Sequence, residues 1–227
     1  LLMVNGLGEL NQTNTDAIMQ WLSANGALYW TYTIMRMIGR VAFPIFCFLL
    51  VEGFLHTHDV KKYAMRLGLF ALLSEIPFDL AFSSKILEFN YQNVFFTLFI
   101  GLLTMIAYRA VEEKEEWNQA LKVILYILIV AAGMALAYFL KTDYAEKGVF
   151  CIMVLYIFRK KKMWQIIAGC ASFIWETPAL FGFIPIAFYN GTRGWKMKYF
   201  FYIFYPAHLL ILYLLCYFMG ISGYSAV

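Results

Sequence analysis

Charge is scarce in this chain. Of its 227 residues only 14% are Asp, Glu, Lys or Arg, against about 25% in an ordinary soluble domain. A water-soluble domain must cover its surface with polar groups, so the shortage argues against a soluble enzyme. It also excludes a disordered protein and a charged nucleic-acid-binding tail. Cysteine is sparse: Cys47, Cys151, Cys170 and Cys216 each lie in an apolar run, with no CxxC and no histidine beside them. They read as small buried apolar residues, and neither a disulfide framework nor a metal site is supported. There is no signal-peptide pattern and no internal repeat.

What is present is apolar. Hydrophobic residues make up 63% of the chain, and mean hydropathy is +0.68. The solvent this implies is a bilayer. At about 20 residues per span plus short loops, the length accommodates about seven or eight spans. The expected fold is all-α: a single-domain polytopic transmembrane helical bundle over residues 1–227, in a bacterial plasma membrane. The net charge of +4 then reflects basic loops held on the cytoplasmic side rather than a nucleic-acid partner. The opening Leu1-Leu2-Met3-Val4 looks like the tail of a longer apolar segment, so a first span is expected to be truncated.

Hydropathy places spans at about 34–55, 66–82, 94–108, 121–140, 145–158 and 199–219. Residues 163–188, broken by Glu176, Pro178 and Pro185, read as two short helices turning back on themselves. Residues 109–122 read as a solvated helical linker. The basic loops 56–66, 159–162 and 192–198 go to the cytoplasm, and alternation puts 83–92 and 141–147 outside.

Ionised groups inside spans are costly, about 2.5–3.5 kcal/mol each on insertion scales, and mark function by default. Arg36 and Arg40 are four apart on one span, and Glu75 and Asp79 four apart on the next. They lie at similar depth, so the expectation is a paired cluster that Glu176 joins, either as an interhelical salt bridge or as a polar substrate cavity. Pro77 is expected to kink its helix. Glu52 and His56 share a face near the cytoplasmic end, and Tyr202, Tyr205 and His208 share another. A neutral imidazole at His208 suits a proton acceptor, or else a packing hydrogen bond. In the loop 189–198, Asn190, Arg193, Lys196 and Lys198 suit phosphate groups. Arg40, Glu75, Asp79 and His208 are expected to line one shared aqueous hollow.

Several runs resemble the TraX family. They are Ile38-Gly39-Arg40-Val41-Ala42-Phe43-Pro44-Ile45-Phe46, Leu49 to Thr57, Leu73-Ser74-Glu75-Ile76-Pro77-Phe78-Asp79, Asn93 to Leu98, Tyr189-Asn190-Gly191 with Arg193-Gly194, and Tyr205-Pro206-Ala207-His208. They occur in the family's order across most of residues 34–215. The family's named member is an integral membrane protein that acetylates the N-terminal amine of conjugative pilin. The resemblance implies acyl transfer from cytoplasmic acetyl-CoA. The acceptor is left open as a pilin-like peptide, a cell-envelope amine or a small molecule. Catalytic roles would fall to His208, Arg40, Glu75 and Asp79. Donor contacts would come from Arg193, Lys196, Lys198, Asn190 and Tyr205, and acceptor contacts from Asn93, Glu52, Arg36 and Glu176. No metal is implied. The family opens with a helix bearing an acidic residue and a histidine, whereas Leu1–Glu9 has Asn5 and no histidine. A membrane transporter and a non-catalytic assembly protein remain the alternatives.

Overall fold

The structure is a computed structural model that describes residues 25–83, 85–192 and 198–219, without the side chains of Leu28, Lys198 and Tyr199. The described residues form helices α1 (Gly26–His56), α2 (Val60–Ser83), α3 (Val94–Glu112), α4 (Gln119–Phe139), α5 (Ala145–Ile157) and α6 (Lys162–Ser172). A 3-10 helix (Thr177–Gly182), α7 (Phe183–Phe188) and α8 (Lys198–Phe218) follow. Each expected span is a helix, and the break in 163–188 is the reversal between α6 and the 3-10 segment. The linker differs: α3 ends at Glu112, and residues 113–118 form turns rather than a helix. Asn118 then opens α4 by accepting the Ala120 N–H, which ends any helical continuity between the two. Helices α2 and α8 run unbroken through Pro77 and Pro206.

Among the described residues four helices are long and apolar enough to cross a membrane: Tyr29–His56, Val94–Glu112, Gln119–Phe139 and Phe200–Phe218. The chain is a membrane protein on that ground. Helix α2 has the length but carries Lys61, Lys62, Arg66, Glu75 and Asp79. Helices α5 and α6, with 13 and 11 residues, reach only about 20 and 17 Å at 1.5 Å per residue. A hydrocarbon core is about 30 Å thick. Helix α5 serves instead as a central post: Val149, Cys151, Ile152, Met153, Leu155 and Tyr156 are all buried. Around it stand α1, α3, α4 and α6, while α2 bridges α3 to α8.

Small residues set the spacing, as usual where helices associate by close packing in lipid. Gly182 is the case in which a close neighbour is backbone. A methyl group there would sit 2.6 Å from Pro44 Cγ and 2.7 Å from the Val41 carbonyl oxygen, which is backbone and cannot swing away. Gly182→Val should therefore lower stability by about 1–3 kcal/mol through overpacking. Gly39→Ala, with nothing within 4 Å of the added carbon, should raise it by about 0.5–1 kcal/mol through reduced chain entropy. Thermal unfolding in detergent micelles reads both; an unaffected Gly182→Val would refute the close approach.

Candidate functional site

Two ends can be distinguished by their contacts. At the basic end, Arg159 forks onto both carboxylate oxygens of Glu112 at 2.8 and 2.6 Å, donates to the Tyr156 carbonyl and lies over its ring. There the Lys162 ammonium also donates to the Tyr189 carbonyl. At the far end the loop 140–144 meets the loop before α3. The Gln92 N–H donates to the Lys141 carbonyl, and the Asp143 N–H to that of Gln92.

Between the two ends lies a cavity of about 1200 Å³. Its walls are α1 on one side, α2 and α8 on the other, and the start of α3 behind. Helices α1 and α8 do not close on each other. At the basic mouth stand His58, Lys62 and Thr192. Further in come Glu52 and Arg66, then Tyr202, Tyr205 and His208 on one face of α8. Asp143 and Tyr144 close the far end.

His208 Nδ1 lies 2.9 Å from the Phe204 carbonyl oxygen. A carbonyl only accepts, so Nδ1 carries a proton and Nε2 is the ring nitrogen left to act as a base. Its ring stacks on Phe204 and meets Tyr205 edge-on, 5.6 Å between centroids. The same logic applies to His56, whose Nδ1 bonds the Glu52 carbonyl and lies 3.8 Å from the Glu52 carboxylate.

The expected cluster of Arg36, Arg40, Glu75 and Asp79 does not form. The cavity separates α1 from α2 at that level, so no arginine on one meets an acid on the other. Arg40 instead pairs with Glu176 at the start of the 3-10 helix. Arg36 donates to the Tyr32 hydroxyl at 3.1 Å on an exposed face. Glu75 accepts from the Asn93 amide, and Asn93 also donates to the Ala71 carbonyl at 2.8 Å and caps α3 through Phe95 N–H. Asn93 is thus fully buried behind the cavity rather than part of its wall. Asp79 accepts the Glu88 N–H at 2.8 Å. One oxygen each of Glu75 and Asp79, and the Ser74 hydroxyl, are buried without a partner. Of the four groups expected to line the hollow, His208 alone is among its lining residues; Glu52 and Tyr205 join it. Asn190 forms a turn, accepting from the Thr192 N–H and hydroxyl, beside Gly191 at φ +77°. Arg193 and Lys196 lie outside the described residues, as does the side chain of Lys198 at the start of α8.

Asp143 and Arg66 are cavity residues that sequence reading passed over, the first because it lies in a loop and the second because it was counted as loop charge. Tyr91 donates to Asp143 at 2.6 Å. Burial raises the Asp143 carboxyl above its ordinary range, against the Tyr91 and Tyr144 hydrogen bonds and the nearby Arg40 charge that lower it. Lys141, Tyr144 and Ala145 all have positive φ, at 52°, 64° and 41°. The Asp143 N–H bond to Gln92 and the Tyr91 bond to its carboxylate hold Asp143 in that strained loop against the cavity. Among the described residues no group of His, Cys, Asp and Glu is disposed to hold a metal ion.

Comparison with known proteins agrees with the TraX resemblance. The family profile described as TraX protein matches residues 18–216. A curated relative, "Probable fimbrial assembly protein FimC, serogroup H1" of Dichelobacter nodosus, is 27% identical over 81% of this chain and 83% of its own length. No solved structure matches. With nearly the whole described bundle inside the matched span, the chain belongs to the TraX family.

Proposed function

We propose that this protein is a multi-pass acyltransferase of the bacterial plasma membrane that serves the building of a surface fibre. It moves an acetyl group from cytoplasmic acetyl-CoA to an amine or hydroxyl acceptor. The observation that carries the reading is the single cavity joining a cationic mouth to the Nε2 face of His208. The donor's phosphates meet Lys62 and the basic segment Arg193, Lys196 and Lys198, and its thioester arm extends inward to Tyr205 and His208. His208 Nε2 takes the proton as the acceptor's lone pair attacks the thioester carbonyl. The new acyl bond forms, the carbon–sulfur bond breaks, and the thiolate leaves with the proton returned from the imidazolium. Asp143 and Tyr144 at the far end face the acceptor.

The test is transfer of label from acetyl-CoA by the purified protein in nanodiscs, offered a pilin-like peptide with a free amino terminus. Label in the peptide matched by released coenzyme A thiol is the expected result. Thiol release no faster than in empty nanodiscs overturns the reading. The printed name of the Dichelobacter relative favours a second reading, an assembly factor without chemistry of its own. That reading requires fibre assembly to survive His208→Ala.

A further inference from the structure

Among the described residues the guanidinium of Arg66 makes no hydrogen bond, although its charge acts on Asp59 and Tyr63 nearby. It lies one helical turn further along α2 than Lys62 and lines the cavity. Its Nε is buried and has no hydrogen-bond partner. Among the described residues Arg66 makes no ion pair. Neither acid at that end pairs with it. Glu52, on the opposite wall, lies 3.8 Å from His56. Asp59 takes the Lys62 N–H at 2.9 Å and its ammonium at 3.1 Å. The remaining titratable neighbours at that level are Tyr63 and Tyr202.

A guanidinium always carries its charge, and desolvating it without an anion is unfavourable. Inside a membrane protein such a group marks a binding site. His58, Lys62 and Arg66 step inward from the mouth along one wall, with the Thr192 hydroxyl also at the mouth. The planar fork of arginine suits two oxygens of one phosphate, which a lysine point charge does not.

We propose that Arg66 is the anion clamp of the cavity, holding a pyrophosphate group of a ligand that enters past Lys62. The inference rests on the acyl-donor reading only for the ligand's name, a coenzyme A thioester. The experiment measures binding of labelled coenzyme A to the protein in nanodiscs, with inorganic pyrophosphate and pantetheine as competitors. Pyrophosphate should compete and pantetheine should not. Arg66→Gln should weaken coenzyme A binding by about tenfold or more, the loss expected for a charged hydrogen-bonded contact. Arg66→Lys should recover only part, and it supplies the comparison should Arg66→Gln fail to elute as folded protein.

Wild-type affinity in Arg66→Gln, or in Arg66→Lys where that is the folded variant, overturns the proposal. So does a wild-type protein that neither ligand binds. Should coenzyme A fail to bind while pyrophosphate raises the unfolding temperature of wild type but not of Arg66→Gln, the clamp stands and the acyl-donor reading falls.

Discussion

His208→Ala should reduce acetyl transfer by about 10²–10⁴-fold, the contribution of a positioned general base. The reason lies in one hydrogen bond. With Nδ1–H held by the Phe204 carbonyl, only Nε2 is left to accept a proton, and the ring cannot turn to offer the other nitrogen without losing that bond. The side chain is half-buried on a helix that continues ten residues beyond it, to Phe218, so the fold should tolerate its removal. His208→Gln separates the two roles of the ring. Glutamine keeps a hydrogen bond to the backbone but does not act as a base near neutral pH. Both variants should retain the unfolding temperature and elution volume of wild type while losing turnover. Activity in His208→Gln above half of wild type would remove proton acceptance from the mechanism and leave His208 as a packing residue.

Asn93→Ala should be the most destabilising substitution among the polar residues. One amide performs three tasks: it caps α3, satisfies the Ala71 carbonyl and supplies the hydrogen bond to Glu75. The lost cap costs about 0.5–2 kcal/mol. Glu75 then keeps only the long 3.4 Å bond from the Asn93 backbone N–H, with its other oxygen already unpartnered, which costs about 1–3 kcal/mol more. The expected total is about 1.5–5 kcal/mol, measured as a fall in unfolding temperature in detergent. Adding Glu75→Leu should recover part of the loss, because it removes the stranded group itself. A loss below about 1 kcal/mol for Asn93→Ala would mean that water or lipid headgroups reach Glu75, contrary to its burial.

The asymmetry between these residues shows where reading a sequence stops. Tyr202, Tyr205 and His208 were legible as one face because helical spacing alone puts them there, and neighbours of α8 do not alter it. Arg40 with Glu75 and Asp79 was a plausible pairing on spacing and depth. It failed because spacing says which face a residue occupies and nothing about which helix that face meets. Arg40's partner, Glu176, is 136 positions away in a reversal between two short helices. Arg66 was visible as a charge near a span end, yet only the structure shows that its Nε is buried without a partner and that it lines the cavity. Asp143 carried no periodic signal, since its placement comes from three consecutive interactions between the loops at the far end.

By itself the sequence determined the solvent, the helices and their order. Those depend on local quantities: the hydropathy of some twenty residues at a time and the cost of charge in lipid. Tertiary structure alone decided that α5 is a buried post rather than a span facing lipid, that α1 stands apart from α2, and that the gap between them is a cavity. These are properties of how volumes fit. In a bilayer every helix is greasy on all sides, so apolar patterning carries little information about partners, and close contacts such as Gly182 against Val41 choose them instead.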